Sequence, residues 1–345
     1  MRRRRLLLAA AMTIPLVASC TASSQDTSER TVVLVTHDSF TVEQPVLDKF
    51  KADTGIKIDV RKSGDAGALT TQLVLTKSAP IGDAAFGVDN TFASRALTEG
   101  VFAEYKPADA DKGPQKYAVD NSSRLTAVDV GDVCVNVDLA ALAGRELATP
   151  ASFEDLADPR YKDLLVVEDP ATSSPGLAFL MATVAHYGNK DWPNYWKRLK
   201  DNGVKVVSGW EEAYTQEFSG SSGKGPRPLV VSYASSPSAE IGTDGKPRTA
   251  ALLDTCFRQV EYAGVLNGAK NPDDARKVVD FLISETFQKL VPESMYVYPA
   301  RDGVALPAAW QQAAPRPESP STLPVEDIQG NRERWIEQWR TAVRA

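Results

Sequence analysis

From Thr31 to Val88 the chain alternates strand-like and helix-like patterns, and no other feature limits its fold as strongly. Thr31 to Val35 is rich in β-branched residues, and Val42 to Asp53 sets Val42, Val46, Leu47 and Phe50 on one helical face before Gly55. Ile56 to Val60 alternates apolar and polar residues, Ala66 to Lys77 reads as a helix, and Asp83 to Val88 reads as a strand. A β-α-β-α-β order favours a parallel sheet with helices on its faces.

A second unit of this kind follows the strand-like run Asp132 to Val137. Pro159 to Lys162 is a turn, Gly176 to Tyr187 a helix, and Leu164 to Val167, Val204 to Val207 and Leu229 to Ser232 are short strands. Ser219 to Arg227 is a flexible loop and not a phosphate-binding P-loop, because Gly225 follows Lys224 where Ser or Thr is required. Phe257 to Leu266 is strand-like, and Asp273 to Ile283 is an amphipathic helix with Ala275, Val278, Val279 and Leu282 on one side. Ala313 to Pro324 is a proline-rich loop, and Arg332 to Arg344 a closing helix with Trp335 and Trp339 at i, i+4. The expected fold is α/β in two lobes, each a mostly parallel sheet flanked by helices: 31–134 with 257–310, and 135–256 with 311–345. The cleft between such lobes is the place for a ligand, with the hinge near Cys134 and Cys256.

Ahead of this body, Arg2 to Arg5 form a basic stretch, Leu6 to Val17 an apolar one, and Val17-Ala18-Ser19-Cys20 a lipobox. The expectation is a signal peptide at 1–19, lipid on Cys20, and a polar linker at 20–30 that tethers the fold to the outer face of the cytoplasmic membrane. The apolar stretch is shorter than the roughly 20 residues that a spanning helix needs. Without Met1 to Ser19 the chain has 326 residues, 35 basic and 45 acidic. That balance argues against nucleic acid and anionic lipid surfaces, which select basic patches. Cys134 and Cys256 then remain in an oxidising compartment, where a bridge is expected and two buried free thiols are the alternative.

The candidate site residues lie in short polar and aromatic loops that follow the strands. Three carboxylates, Asp38 beside His37, Asp65 and Asp89, sit after the first three strands, where neighbouring parallel strands would bring them to one crevice able to neutralise a cation. Ser173 and Ser174 stand before a helix, where they can cap it and where free N–H groups can hold a phosphate. Trp210, Tyr214 and Tyr233 lie beside small residues and can offer a ring face to a flat or cationic group, and Tyr296 is a further ring. Enzyme chemistry finds little support: there are two histidines, and no GxSxG, HExxH or Rossmann glycine pattern. No catalytic residue, metal site or cofactor is expected.

In their order and spacing, His37 to Phe40, Val88 to Asn90, Asp169 to Gly176 (DPATSSPG), Gly209 to Tyr214 (GWEEAY), Ser232 to Pro237 (SYASSP) and Trp335 to Trp339 resemble the thiamine-binding proteins of ABC transporters. The likeness runs from about Thr31 to the C-terminus. It implies the two-lobed type II periplasmic-binding-protein fold, a monomer that binds thiamine, thiamine monophosphate or thiamine diphosphate, and a membrane permease as partner. It also implies that Trp210 and Tyr233 are cleft aromatics, Asp65 and Asp89 polar contacts, and Ser173 part of the phosphate-side loop. The chain departs from the family at three rings: His37 replaces a frequent Tyr, Gln44 falls near a frequent Trp, and Tyr296 stands where a Trp is expected. Polyamine and ferric-iron binders share this fold and are the alternatives. Tyr296 and Tyr298 would share one face of a strand, as an iron site wants. An extracytoplasmic hydrolase is the rival of a different class.

Overall fold

The computed structural model describes residues 29 to 222 and 224 to 344. The expected signal peptide, Cys20 and most of the expected linker lie outside the described residues. Nine strands form one sheet: β1 (Arg30–Thr36), β2 (Ile56–Lys62), β3 (Ala84–Asp89), β4 (Thr126–Asp138), β5 (Leu165–Glu168), β6 (Lys205–Val207), β7 (Leu229–Tyr233), β8 (Thr249–Val265) and β9 (Tyr298–Pro299). Their order is β2-β1-β3-β8-β4-β7-β5-β6, with β9 on β4. At one end β2, β1 and β3 are mutually parallel, at the other β7, β5 and β6 are, and the two central strands run antiparallel to their neighbours.

The two parallel groups are therefore not separate sheets, because β4 and β8 pass through both halves. Both strands are longer than their apolar runs suggest. Asp129, Asp132 and Glu261 interrupt the hydrophobic pattern, yet all three are buried within the ladder. The pairing of β4 with β8 shifts register between Val133 and Val135, skipping from Phe257 to Leu252. At that irregularity Cys134 and Cys256 are joined by a disulfide with Cα atoms 4.2 Å apart.

Helices cover both faces of the sheet. The helix Pro272–Leu282 buries Ala275, Val278, Val279 and Leu282, the stripe legible in the sequence, in a core that includes Val32, Leu34, Ile56 and Phe86. The helix starting at Ser174 continues to Asp201, beyond the expected end at Tyr187, through a break at Gly188 where φ is 68°. The second segment buries Trp192 and Trp196, and Trp196 meets Trp339 of the last helix, Val325–Arg344, edge to face at 5.7 Å. Those rings hold the C-terminus to the second half of the molecule.

Candidate functional site: a closed aromatic and acidic cleft

The C-terminal ends of β1, β2 and β3 face those of β5, β6 and β7, so the loops that leave them meet across the sheet's central strands. His37 and Ser39 follow β1, Asp65 follows β2, Trp210 follows β6, Tyr233 ends β7 and Glu261 lies within β8. With Ser236 and the segment Met295–Val297, they line a narrow cavity of about 50 Å³. An outer chamber of about 410 Å³ shares Ser39, Asp65 and Trp210 and adds Asp38, Thr172, Glu211 and Glu212.

The halves are in contact over this cavity. The N–H groups of Gly67 and Ala68 donate to the Thr172 carbonyl at 3.0 and 3.2 Å. A Cβ on Gly67 would stand 2.7 Å from the Ala171 oxygen, so the approach requires a residue without one. Asp65 is the main polar link: its carboxylate accepts the N–H of Ala66 at 2.6 Å, of Ser174 at 3.2 Å and of Trp210 at 3.1 Å. It caps its own helix and occupies the start of the helix on the opposite half.

That arrangement revises the phosphate reading of Ser173 and Ser174. The Ser173 hydroxyl accepts from the Gly176 N–H at 3.4 Å, and the Ser174 hydroxyl donates to Asp89 while accepting from Gln259 at 2.9 Å. Both serines are buried, and the anion at the helix start is the protein's own Asp65. Asp89 is likewise fully buried and already accepts from the Thr91 N–H at 2.7 Å, the Thr91 hydroxyl at 2.6 Å and the Phe92 N–H at 3.1 Å. It ties the halves together and does not line the cavity. Asp38 accepts from the Gly64 N–H at 2.9 Å and faces the outer chamber.

Among the rings, Trp210 stacks on Tyr214 at 4.9 Å and 14° and donates its indole N–H to the Ser232 hydroxyl at 2.9 Å. Tyr214 backs Trp210 from outside the cavity and gives its hydroxyl to Glu240 at 3.1 Å. Tyr233 stands 6.4 Å from Trp210 in the wall. Tyr296 is 41% exposed at the rim with φ of 54°, its carbonyl accepting from the Ser235 hydroxyl at 2.5 Å. This left-handed residue breaks the strand alternation expected for Tyr296 and Tyr298. Tyr298 is buried in the core, where it donates to the Ala314 carbonyl at 2.8 Å, so the two tyrosines do not share a face.

Glu261 is the site residue that sequence patterns miss. The register of the sheet sets Asp89 of β3 and Asp129 of β4 directly opposite it on either side, making a row of three carboxyls across adjacent strands. Like charges in such positions repel, and each member of the row meets this differently. Burial pushes Asp89 up to about 6 against the hydrogen bonds from Ser174 and Thr91. Burial, and then the charge of Glu261, hold Asp129 well above the carboxylate range. Glu261 faces His37, whose Nε2 lies 3.5 Å away. Burial opposes the charge on Glu261, but the imidazolium outweighs it and holds Glu261 below its usual value. The His37 ring fits here because Gly87 has no side chain: a Cβ there would lie 2.1 Å from the imidazole. At the end of β5, Glu168 is buried and raised by desolvation and then by Asp65. Among the described residues no group of three or more His, Cys, Asp or Glu side chains is placed to hold a metal ion.

Two α/β halves that share central strands and close on an internal cavity lined by rings and ionisable groups define a solute-binding protein. The chain belongs to the bacterial extracellular solute-binding protein family, whose model matches residues 81–327. It is 29% identical to the thiamine-binding periplasmic protein of Escherichia coli over 96% of this chain and 98% of that one. The thiamine-binding periplasmic protein of Haemophilus influenzae is 27% identical, over 92% and 93%. A solved periplasmic thiamin binding protein superposes with a TM-score of 0.81 at 28% identity, covering 91% of this chain and 96% of that chain. Iron-bound HitA from Pseudomonas aeruginosa shares the fold with a TM-score of 0.71 at 19% identity, covering 91% of this chain and 99% of its own. No helix among the described residues is long and apolar enough to cross a membrane.

Proposed function

We propose that this chain captures thiamine or its phosphate esters outside the cytoplasmic membrane and passes them to the permease of an ABC importer, acting by binding without turnover. The observation that carries the reading is the company of rings and carboxylates in one closed cavity: Trp210 and Tyr233 beside Asp65 and Glu261. A thiazolium is a flat, permanent cation, suited to a ring face at about 0.5 to 2 kcal/mol per contact, and an aminopyrimidine offers N–H donors to a carboxylate. The names and full-length match of the relatives support the same ligand.

The mouth favours the unphosphorylated vitamin. Asp38, Asp65, Glu211 and Glu212 line the outer chamber, with no Lys or Arg among its walls. A phosphate there would meet like charge and would have to displace Asp65 from the Ser174 N–H. Titration calorimetry with thiamine, its monophosphate and its diphosphate tests the ligand class, and the expected affinity falls in that order. Iron loses its tyrosine pair to the burial of Tyr298. A polyamine would use the same acids, so spermidine belongs in the same titration series, where the proposal expects no saturation at vitamin-level concentrations. Lipid on Cys20, a monomeric state and the delivery to a permease complete the reading as a tethered capture protein.

A further inference from the structure

Cation capture in this cleft faces a charge problem that the wall residues define. Glu261 and His37 both line the cavity and are only 6% and 8% exposed, and His37 Nε2 has no hydrogen-bond partner although Glu261 lies 3.5 Å away. The pair is an ion contact open toward the ligand space. We propose that the positive ring of the ligand takes the place of the His37 proton beside Glu261, so that binding one cation releases one proton and Glu261 is the residue that selects for positive charge.

The surroundings support an exchange. His37 is faced by Glu261 from β8, by Asp65 from the loop after β2 and by its neighbour Asp38; Asp129 of β4 and Asp89 of β3 flank Glu261, and Tyr233 of β7 completes the wall. Asp65 and Asp89 are committed to bonds that hold the halves together, and Asp129 is held above the carboxylate range by burial and by the charge of Glu261. Glu261 is then the carboxylate of the deep wall left to face a ligand, and in a desolvated cavity it cannot neutralise two cations at once. Burial lowers the basicity of His37, but Glu261 and then Asp65 and Asp38 outweigh it and favour the protonated ring until a competing cation arrives. In atom balance, the N–H bond of the imidazolium breaks, its electron pair stays on the ring nitrogen, and the proton passes to bulk buffer. The idea rests on the thiamine reading for the choice of cation and goes beyond it in assigning Glu261 and the proton.

Calorimetry of thiamine binding near neutral pH, in buffers of different ionisation enthalpy, counts the protons. The expected result is close to one proton released per thiamine, with affinity falling roughly tenfold per pH unit on the acid side of the His37 titration. In His37→Gln the release should vanish and the affinity between about pH 6.5 and 8 should become level. In Asp129→Asn the release should persist, which separates His37 from the other proton in the row. Thiamine binding with no proton release, or release retained in His37→Gln, would overturn the exchange while leaving the thiamine reading intact. If thiamine does not bind, that reading fails and the exchange still has its own test in the ligand-free protein. With two histidines in the chain, NMR titration should show His37 above the ordinary imidazole value and Glu261→Gln should lower it. A His37 that titrates at or below the ordinary imidazole value, or is unmoved by Glu261→Gln, would refute the pairing.

Discussion

Asp65 accepts the backbone N–H of Trp210 at 3.1 Å and so joins a loop of one half of the molecule to the principal ring of the other. The same carboxylate accepts from Ser174 across the cleft and from Ala66 in its own helix. Closure of the two halves and placement of the Trp210 backbone therefore share one side chain, beside the Thr172 and Asp89 contacts that also cross the cleft.

Removing that side chain should cost binding more than folding. In Asp65→Ala the N–H groups of Ser174 and Trp210 lose their partner only in the closed state, at about 1 to 3 kcal/mol for each group left unpaired. Thiamine affinity should fall at least roughly tenfold, and small-angle scattering with ligand should show a more open molecule than the parent. A parent-like scattering profile with unchanged affinity would contradict the role given to Asp65.

Trp210 reports directly on the cavity. The chain has six tryptophans, and Trp192, Trp196, Trp310, Trp335 and Trp339 are buried away from the site, each at 3% exposure or less. Thiamine should quench emission through Trp210, and Trp210→Phe should abolish most of the change. Trp210→Ala should weaken binding at least roughly tenfold, about 1.4 kcal/mol, with the circular dichroism of the parent retained. Quenching that survives Trp210→Phe would place the ligand elsewhere.

Much of this architecture can be read along the chain, and the parts that cannot share a cause. Ala275, Val278, Val279 and Leu282 announce their helix because a solvated opposite face leaves the period visible. Of β4 and β8 only the runs Asp132 to Val137 and Phe257 to Leu266 are legible; the first half of β4 is masked because Asp129 occupies a buried strand position, where local pattern rules assign such a residue to the surface. Glu261 becomes a site residue only through its register with Asp89 and Asp129, which come from strands distant in sequence. Asp65, Trp210 and Tyr233 were legible as residues of loop ends beside a cleft. What their spacing does not convey is that Asp65 fills the helix start offered by Ser174, or that Asp89 is consumed by Thr91 and Ser174.

The buried acids set a pH dependence of stability. Asp89, Asp129 and Glu168 have folded values above their unfolded ones, and His37 is raised as well. Between the unfolded carboxylate range and the folded values, the native state binds more protons than the unfolded state, so stability falls as pH rises. Asp89 alone, moved to about 6, should cost on the order of 3 kcal/mol once ionised. The ligand-free protein should melt at a higher temperature near pH 5.5 than near pH 8, and thiamine should narrow that difference by neutralising the cleft. A melting temperature that rises steadily over this interval would contradict the protonation pattern.

The Cys134–Cys256 bridge spans 122 residues at the register shift between the two central strands. Reduction, or Cys134→Ala with Cys256→Ala, should lower stability by roughly 2 to 4 kcal/mol, read as a lower melting temperature. Thiol titration of the denatured, unreduced protein after signal removal should find neither of these thiols free. Separately, Cys20→Ala should release the protein from the membrane fraction or leave the precursor uncleaved; unchanged retention with normal processing would contradict the lipid tether.

The central claim, that this cleft is a thiamine site, is tested most directly by titration calorimetry of the purified protein with thiamine at neutral pH. A single saturable site per chain, tighter for thiamine than for its diphosphate and accompanied by quenching of Trp210, is the predicted result. Absence of heat and of saturation with thiamine and both of its phosphate esters at tens of micromolar, a free energy weaker than about −6 kcal/mol, would contradict it.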